Sequence, residues 1–109
     1  MTQVQIATIT KKELLEQMKR NAPIQIVNVL SPEFYALGFI KGSQRIPVDE
    51  LERRANELDR NKEVITYCAH SECQASRKGA EKLAELGFHA RAYEGGIKEW
   101  KAAGLPTEP

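Results

Sequence analysis

The chain has 109 residues, 41% of them hydrophobic and 28% charged, a size and balance that fit one globular domain around one core, spanning residues 1–109. Its net charge of +1, with both signs mixed along the chain, gives no basic patch of the kind a nucleic acid backbone requires. The opening MTQVQIATIT has neither a basic leader nor a continuous apolar core, and no apolar run approaches the roughly 20 residues of a membrane span, which predicts a cytoplasmic protein with no nucleic-acid or membrane partner.

Val4 to Ile9 reads as a short first strand. Thr10 and Glu13 then form an S/T-x-x-E capping box, and Leu14, Leu15 and Met18 give the helix that follows its apolar face, up to Pro23. Ile24 to Leu30 (IQIVNVL) is β-branched and almost continuously apolar, the pattern of a central strand buried on both faces. Ser31 as a cap and Pro32 at the first helical position predict a short helix reaching Gly38. Ile40 to Ile46 predicts a brief strand before Pro47, and Asp49 with Glu52 predicts a capped polar helix to about Leu58.

Glu63 to Tyr67 is the next central strand. From about Ser76, the spacing of Ala80, Leu83, Ala84 and Leu86 predicts a helix closed by Gly87, with Lys78, Glu81 and Lys82 on its solvated face. Ala90 to Tyr93 predicts one more strand, Gly95 and Gly96 a tight turn, and Ile97 to Ala103 a last helix stopped by Gly104 and Pro106, with Trp100 beneath it in the core. Strands that alternate with helices in this way make an α/β fold with a parallel sheet covered on both faces.

The chemistry concentrates in VITYCAHSECQASR, residues 64–77. In open parallel sheets ligands bind beyond the carboxyl ends of the strands, which is where Cys68 falls. The loop from Ala69 to Ala75 has no proline and mostly small side chains, so its N–H groups can converge on an anion at the Cys68 sulfur. Together with the dipole of the next helix, they favour a nucleophilic thiolate. The alternative is a Cys68 that merely packs, since free cysteine is among the most buried residue types.

Cys73 has three open readings: a second redox thiol, a core residue facing the sheet, or the nucleophile itself. A zinc reading would need Cys68, His70, Cys73 and the distant His89 all to converge, because the chain holds only two cysteines and two histidines. His89 reads as a surface residue at a strand start. A phosphatase would need an arginine five residues past its cysteine, whereas the first here is Arg77, and Glu72 would repel a dianion.

Five segments give the chain a family likeness: VNVLSPEFYALGFIKGS, then IP, then VITYC, then SRKGAEKLAELGF and YEGGIKEWKAAGLP. In order and spacing they resemble a single-domain rhodanese, a sulfurtransferase, over essentially the whole length. The resemblance implies a mostly parallel five-stranded sheet flanked by helices on both faces, with Cys68 as the catalytic sulfur carrier. It implies that Ala69, His70, Ser71, Glu72, Cys73, Gln74, Ala75, Ser76 and Arg77 surround the bound sulfur. The reaction so implied takes sulfane sulfur from a small donor such as thiosulfate, a polysulfide or a persulfide, and passes it to cyanide, a small thiol or a protein thiol. It needs no metal or organic cofactor.

The chain departs from the family pattern at Asn28 and Leu30, where an acidic residue and an arginine are common, and at Phe39, where a histidine is common. Its loop from Cys68 to Ser76 is also longer than usual and lacks the customary glycine and arginine.

Overall fold

In the computed structural model, which describes residues 7–70 and 74–108, the first helix α1 (Lys11–Lys19) starts as its sequence dictates. The Glu13 N–H donates to Thr10 Oγ1 at 3.1 Å, and Glu13 Oε1 accepts from the Thr10 N–H at 3.0 Å. Leu14 then buries completely, while Leu15 and Met18 pack beside it.

Strand β1 (Ile24–Asn28) ends two residues before the predicted Leu30, because the Asn28 side chain competes with the ladder. Its Oδ1 accepts from the Leu30 N–H at 2.8 Å and turns the chain out of the sheet. Gln25, buried on the same strand, satisfies both ends of its amide on the Asp59 backbone, at 2.6 and 3.0 Å.

Pro32–Leu37 is 3₁₀ rather than α-helical, with proline in its first turn as predicted, and Ser31 makes no side-chain cap. The brief strand predicted over 40–46 resolves into β2 (Phe39–Ile40) and β3 (Gln44–Arg45). The polar helix predicted from Asp49 to Leu58 is only one α-helical turn, α2 (Leu51–Arg54), between two 3₁₀ turns, and neither Asp49 nor Glu52 caps it. Leu51, Ala55 and Leu58 pin this segment to the core instead.

Strand β4 (Glu63–Tyr67) leads to helix α3 (Ala75–Glu85), whose end is a Schellman motif: Phe88 N–H donates to Leu83 O and Gly87 N–H to Ala84 O. Strand β5 (Ala90–Tyr93) and helix α4 (Gly96–Ala102) follow as predicted. A last strand, β6 (Thr107–Glu108), was not foreseen and pairs antiparallel with β2.

The main sheet has the order β3-β1-β4-β5 and is parallel throughout. It has four strands rather than the five expected. The predicted first strand, of which only residues 7–9 are described, contributes a single parallel bridge between Thr8 and Ala92 along the β5 edge. Both faces are covered: Val27, Val29 and Val64 pack with Leu51 and Leu83 on one side, and Ile26, Ile65 and Tyr67 pack with Leu14 and Trp100 on the other. No helix among the described residues is long and apolar enough to cross a membrane.

Two buried tyrosines tie the second face together. The Tyr67 hydroxyl accepts from the Ile40 N–H at 3.0 Å and lies 2.8 Å from Ser43 Oγ, while the Tyr93 hydroxyl donates to Glu99 Oε1 at 2.6 Å. Burial raises both phenol pKa values, and the Glu99 carboxylate raises that of Tyr93 further. A folded-state pKa above the unfolded value contributes stability that is complete below about pH 10 and is lost as the pH rises through the folded value. Alkaline titration should therefore show stability falling from about pH 10 upward. A Tyr93→Phe variant should lose part of that pH dependence, and an identical alkaline limb in the variant would contradict this account.

Candidate active site

Cys68 stands one residue past the end of β4, with β1 on one side and β5 on the other. Its side chain is 0% exposed and belongs to the same apolar cluster as Val29, Leu30 and Ala69. The Cys68 sulfur contacts the His70 carbonyl oxygen at 3.8 Å. In this conformation the sulfur is covered, as the packing alternative requires.

The backbone at Cys68 is held from across the sheet. Ile97 N–H donates to the Cys68 carbonyl at 2.9 Å, and Lys98 N–H donates to the Ala69 carbonyl at 2.9 Å. Because a trans peptide points its C=O and the next N–H in opposite directions, these bonds turn the N–H groups of Ala69 and His70 away from α4. Gly96 permits this approach: a Cβ there would lie 2.7 Å from Cys68 O, 2.8 Å from the Ala69 carbonyl carbon and 2.8 Å from His70 N. Of the glycine pair predicted as a turn, Gly96 therefore serves as the seat of the cysteine loop.

The start of α3 is anchored as well. Thr66 Oγ1, inside β4, donates to the Ser76 carbonyl at 2.7 Å. Ser76 is buried, and its own hydroxyl has no hydrogen-bond partner among the described residues. Gln74 and Arg77 are exposed, and Arg77 pairs with Glu94 at 3.8 Å, beyond the end of β5. Ser71, Glu72 and Cys73 lie outside the described residues, so the expectations placed on them, including the fate of Cys73, do too.

A pocket of about 360 Å³ opens beside the cysteine. Of the predicted site residues, Ala69, His70 and Ala75 line it, whereas Gln74, Ser76, Arg77 and the buried Cys68 itself do not, so the sulfur must be uncovered before a compound in the pocket can reach it. The opposite wall comes from residues that the sequence reading left out: Val29, Leu30, Ser31 and Phe34 after β1, with Val48 and Asp49. Their signal was present in the rule that sites form past strand carboxyl ends, since β1 is the neighbour of β4.

A parallel α/β sheet with a cysteine just past its central strand, seated on the first turn of the last helix, defines a class. Comparison with known proteins gives the family. A family model described as the rhodanese-like domain matches residues 10–103, and the chain belongs to that family. It is 30% identical to the HTH-type transcriptional regulator Rv0324 of Mycobacterium tuberculosis, over 92% of this chain and 44% of that protein. It is 28% identical to the thiosulfate sulfurtransferase GlpE of Ectopseudomonas mendocina, over 85% of this chain and 83% of that one. Among solved structures, a rhodanese-like domain protein from Staphylococcus aureus superposes with a TM-score of 0.81 at 31% identity, covering 95% of this chain and 100% of that one. The chain thus spans less than half of the mycobacterial regulator and most of the other two.

Proposed function

We propose that the chain is a cytoplasmic sulfurtransferase in which Cys68 carries sulfane sulfur as a persulfide. The observation that carries this reading is the seating of Cys68 at the end of the central strand, with the Cys68 and Ala69 carbonyls bound to α4. That turns the Ala69 and His70 N–H groups the other way, the direction in which a backbone N–H can stabilise a sulfur anion.

In the first half-reaction the Cys68 thiolate, once uncovered, attacks the outer sulfur of a donor such as thiosulfate, a polysulfide or an organic persulfide. The donor's sulfur–sulfur bond breaks, its electron pair leaves with sulfite or a thiolate, and a persulfide remains on Cys68. In the second, an acceptor thiolate or cyanide attacks the terminal sulfur, and the Cys68 thiolate leaves. No net oxidant is consumed.

Mass spectrometry after incubation with each donor tests the reading. Wild type should gain one sulfur on the peptide containing Cys68, and Cys68→Ser should gain none. Failure of every donor to load wild type, or equal loading of Cys68→Ser, would refute the assignment. A second reading, a rhodanese-like module that binds or senses with little turnover, is favoured by the complete burial of Cys68. A Cys68-dependent transfer rate well above that of a free thiol would count against it, whereas a partner retained equally by Cys68→Ser, with no transfer, would support it.

A further inference from the structure

The walls of the pocket beside Cys68 are mainly apolar: Leu30, Phe34, Val48, Ala69 and Ala75 supply most of them. Among the described residues no lysine or arginine lines it. Nearby cations are engaged elsewhere: Arg77 with Glu94, Arg54 with Glu50 and Glu57, and Arg45 over the Phe39 ring at 3.8 Å. The carboxylate that does line the pocket, Asp49, is exposed and makes no ion pair with a described residue. Apart from His70 and the backbone N–H groups of the cysteine loop, a dianionic donor entering here meets mainly apolar surface and a negative charge. An apolar body carrying no charge, or an ammonium group, meets complementary surroundings.

We infer that this pocket selects the compounds reaching Cys68 by charge, admitting uncharged or cationic organic sulfur compounds in preference to anionic ones. This rests on reading Cys68 as the reacting sulfur, and it names the substrate class: a low-charge organic thiol or hydropersulfide with an apolar body, rather than an inorganic anion. Phe34, 44% exposed at the pocket, offers that body an apolar face.

Small methanethiosulfonates provide the probe, because they react by one displacement and can carry a positive, a negative or no charge. The Cys68 thiolate attacks the sulfenyl sulfur of the reagent, a disulfide forms, and methanesulfinate leaves with the electron pair. Labelling is followed by mass in a Cys73→Ser chain, where Cys68 is the remaining cysteine. Relative to their rates with a free small-molecule thiol, the 2-aminoethyl reagent should react about tenfold faster than the 2-sulfonatoethyl reagent at low ionic strength, the ratio that reversing a unit charge about 6 Å from a carboxylate gives in a nearly aqueous dielectric. The methyl reagent should fall between them.

Asp49→Asn should bring the ratio close to one, and Phe34→Arg should invert it; both positions are exposed, so the fold tolerates the changes. Sulfur transfer from preloaded Cys68 to cysteamine, 2-mercaptoethanol and 3-mercaptopropionate, each corrected for its thiolate reactivity, should follow the same order. Equal labelling rates, or faster labelling by the sulfonate, would overturn the inference even if Cys68 loads with sulfur. An intact charge order in labelling without any sulfur loading would instead overturn the sulfurtransferase reading and leave the pocket's selectivity standing.

Discussion

Replacing Gly96 by alanine is expected to cost about 2–5 kcal/mol of stability and to abolish sulfur loading of Cys68. Two effects add. Gly96 holds φ at +71°, a left-handed conformation that a residue with a Cβ adopts only under strain. The added methyl would also overlap three backbone atoms of residues 68–70, at 2.7–2.8 Å, and none of them belongs to a flexible side-chain end. The cysteine loop must move, and the bonds from Ile97 and Lys98 must lengthen or break.

The molecule contains its own control. Gly104 has nearly the same φ, +70°, but a Cβ there meets nothing within 4 Å. Gly104→Ala should therefore show the conformational strain alone, about 1–2 kcal/mol, with loading intact. Urea unfolding of both variants measures the difference. Equal costs at the two positions would show that the contact with the cysteine loop contributes nothing.

Trp100→Ala should be at least as damaging, at about 3–5 kcal/mol. The indole is completely buried, meets the Tyr93 ring edge-on with centroids 6.0 Å apart, and donates Nε1–H to the Pro106 carbonyl at 2.8 Å. It belongs to the cluster formed by Leu14, Ile26, Ile40 and Ile65, so its loss opens a cavity where α1, α4 and the sheet meet. Against the 5–15 kcal/mol typical of a domain, a cost of that size removes a large share of the total stability. Trp100→Phe keeps most of the volume and loses the hydrogen bond, so it should cost about 1–2 kcal/mol. An alanine variant within 1 kcal/mol of wild type would mean that the site collapses around the gap.

What the sequence made legible was local. The Thr10–Glu13 box formed because its partners lie three residues apart and depend on nothing else. The strands at Ile24, Glu63 and Ala90 stood out through apolar and β-branched runs that suit burial between two helical layers. The helix read from Asp49 failed because Pro47, with ψ at 150°, delivers the chain in an extended direction, and the burial of Leu51, Ala55 and Leu58 outweighs the weak preference of a polar segment for α-helix. The strand Thr107–Glu108 has no pattern of its own and exists because Phe39 and Ile40 offer an edge.

The site divides in the same way. The cysteine at the strand end was legible from the rule for parallel sheets, but its burial and its bonds to Ile97 and Lys98 were not, since they depend on a contact across many residues. The rule also pointed to the segment after β1, but that Leu30, Phe34 and Asp49 form a wall facing Ala69 and His70 depends on the same long-range packing.

The seat that α4 provides for Cys68 also sets an order in time. During synthesis Cys68 is made 28 residues before Gly96, and at about 5–20 residues per second the gap amounts to a few seconds. Over that interval neither Ile97 nor Lys98 exists to bind the Cys68 and Ala69 carbonyls, and Trp100 has not yet closed the layer behind them. The loop at Cys68 therefore reaches its final geometry only once the last helix has been made and has docked, so the seat of the cysteine is among the later features of the molecule to form.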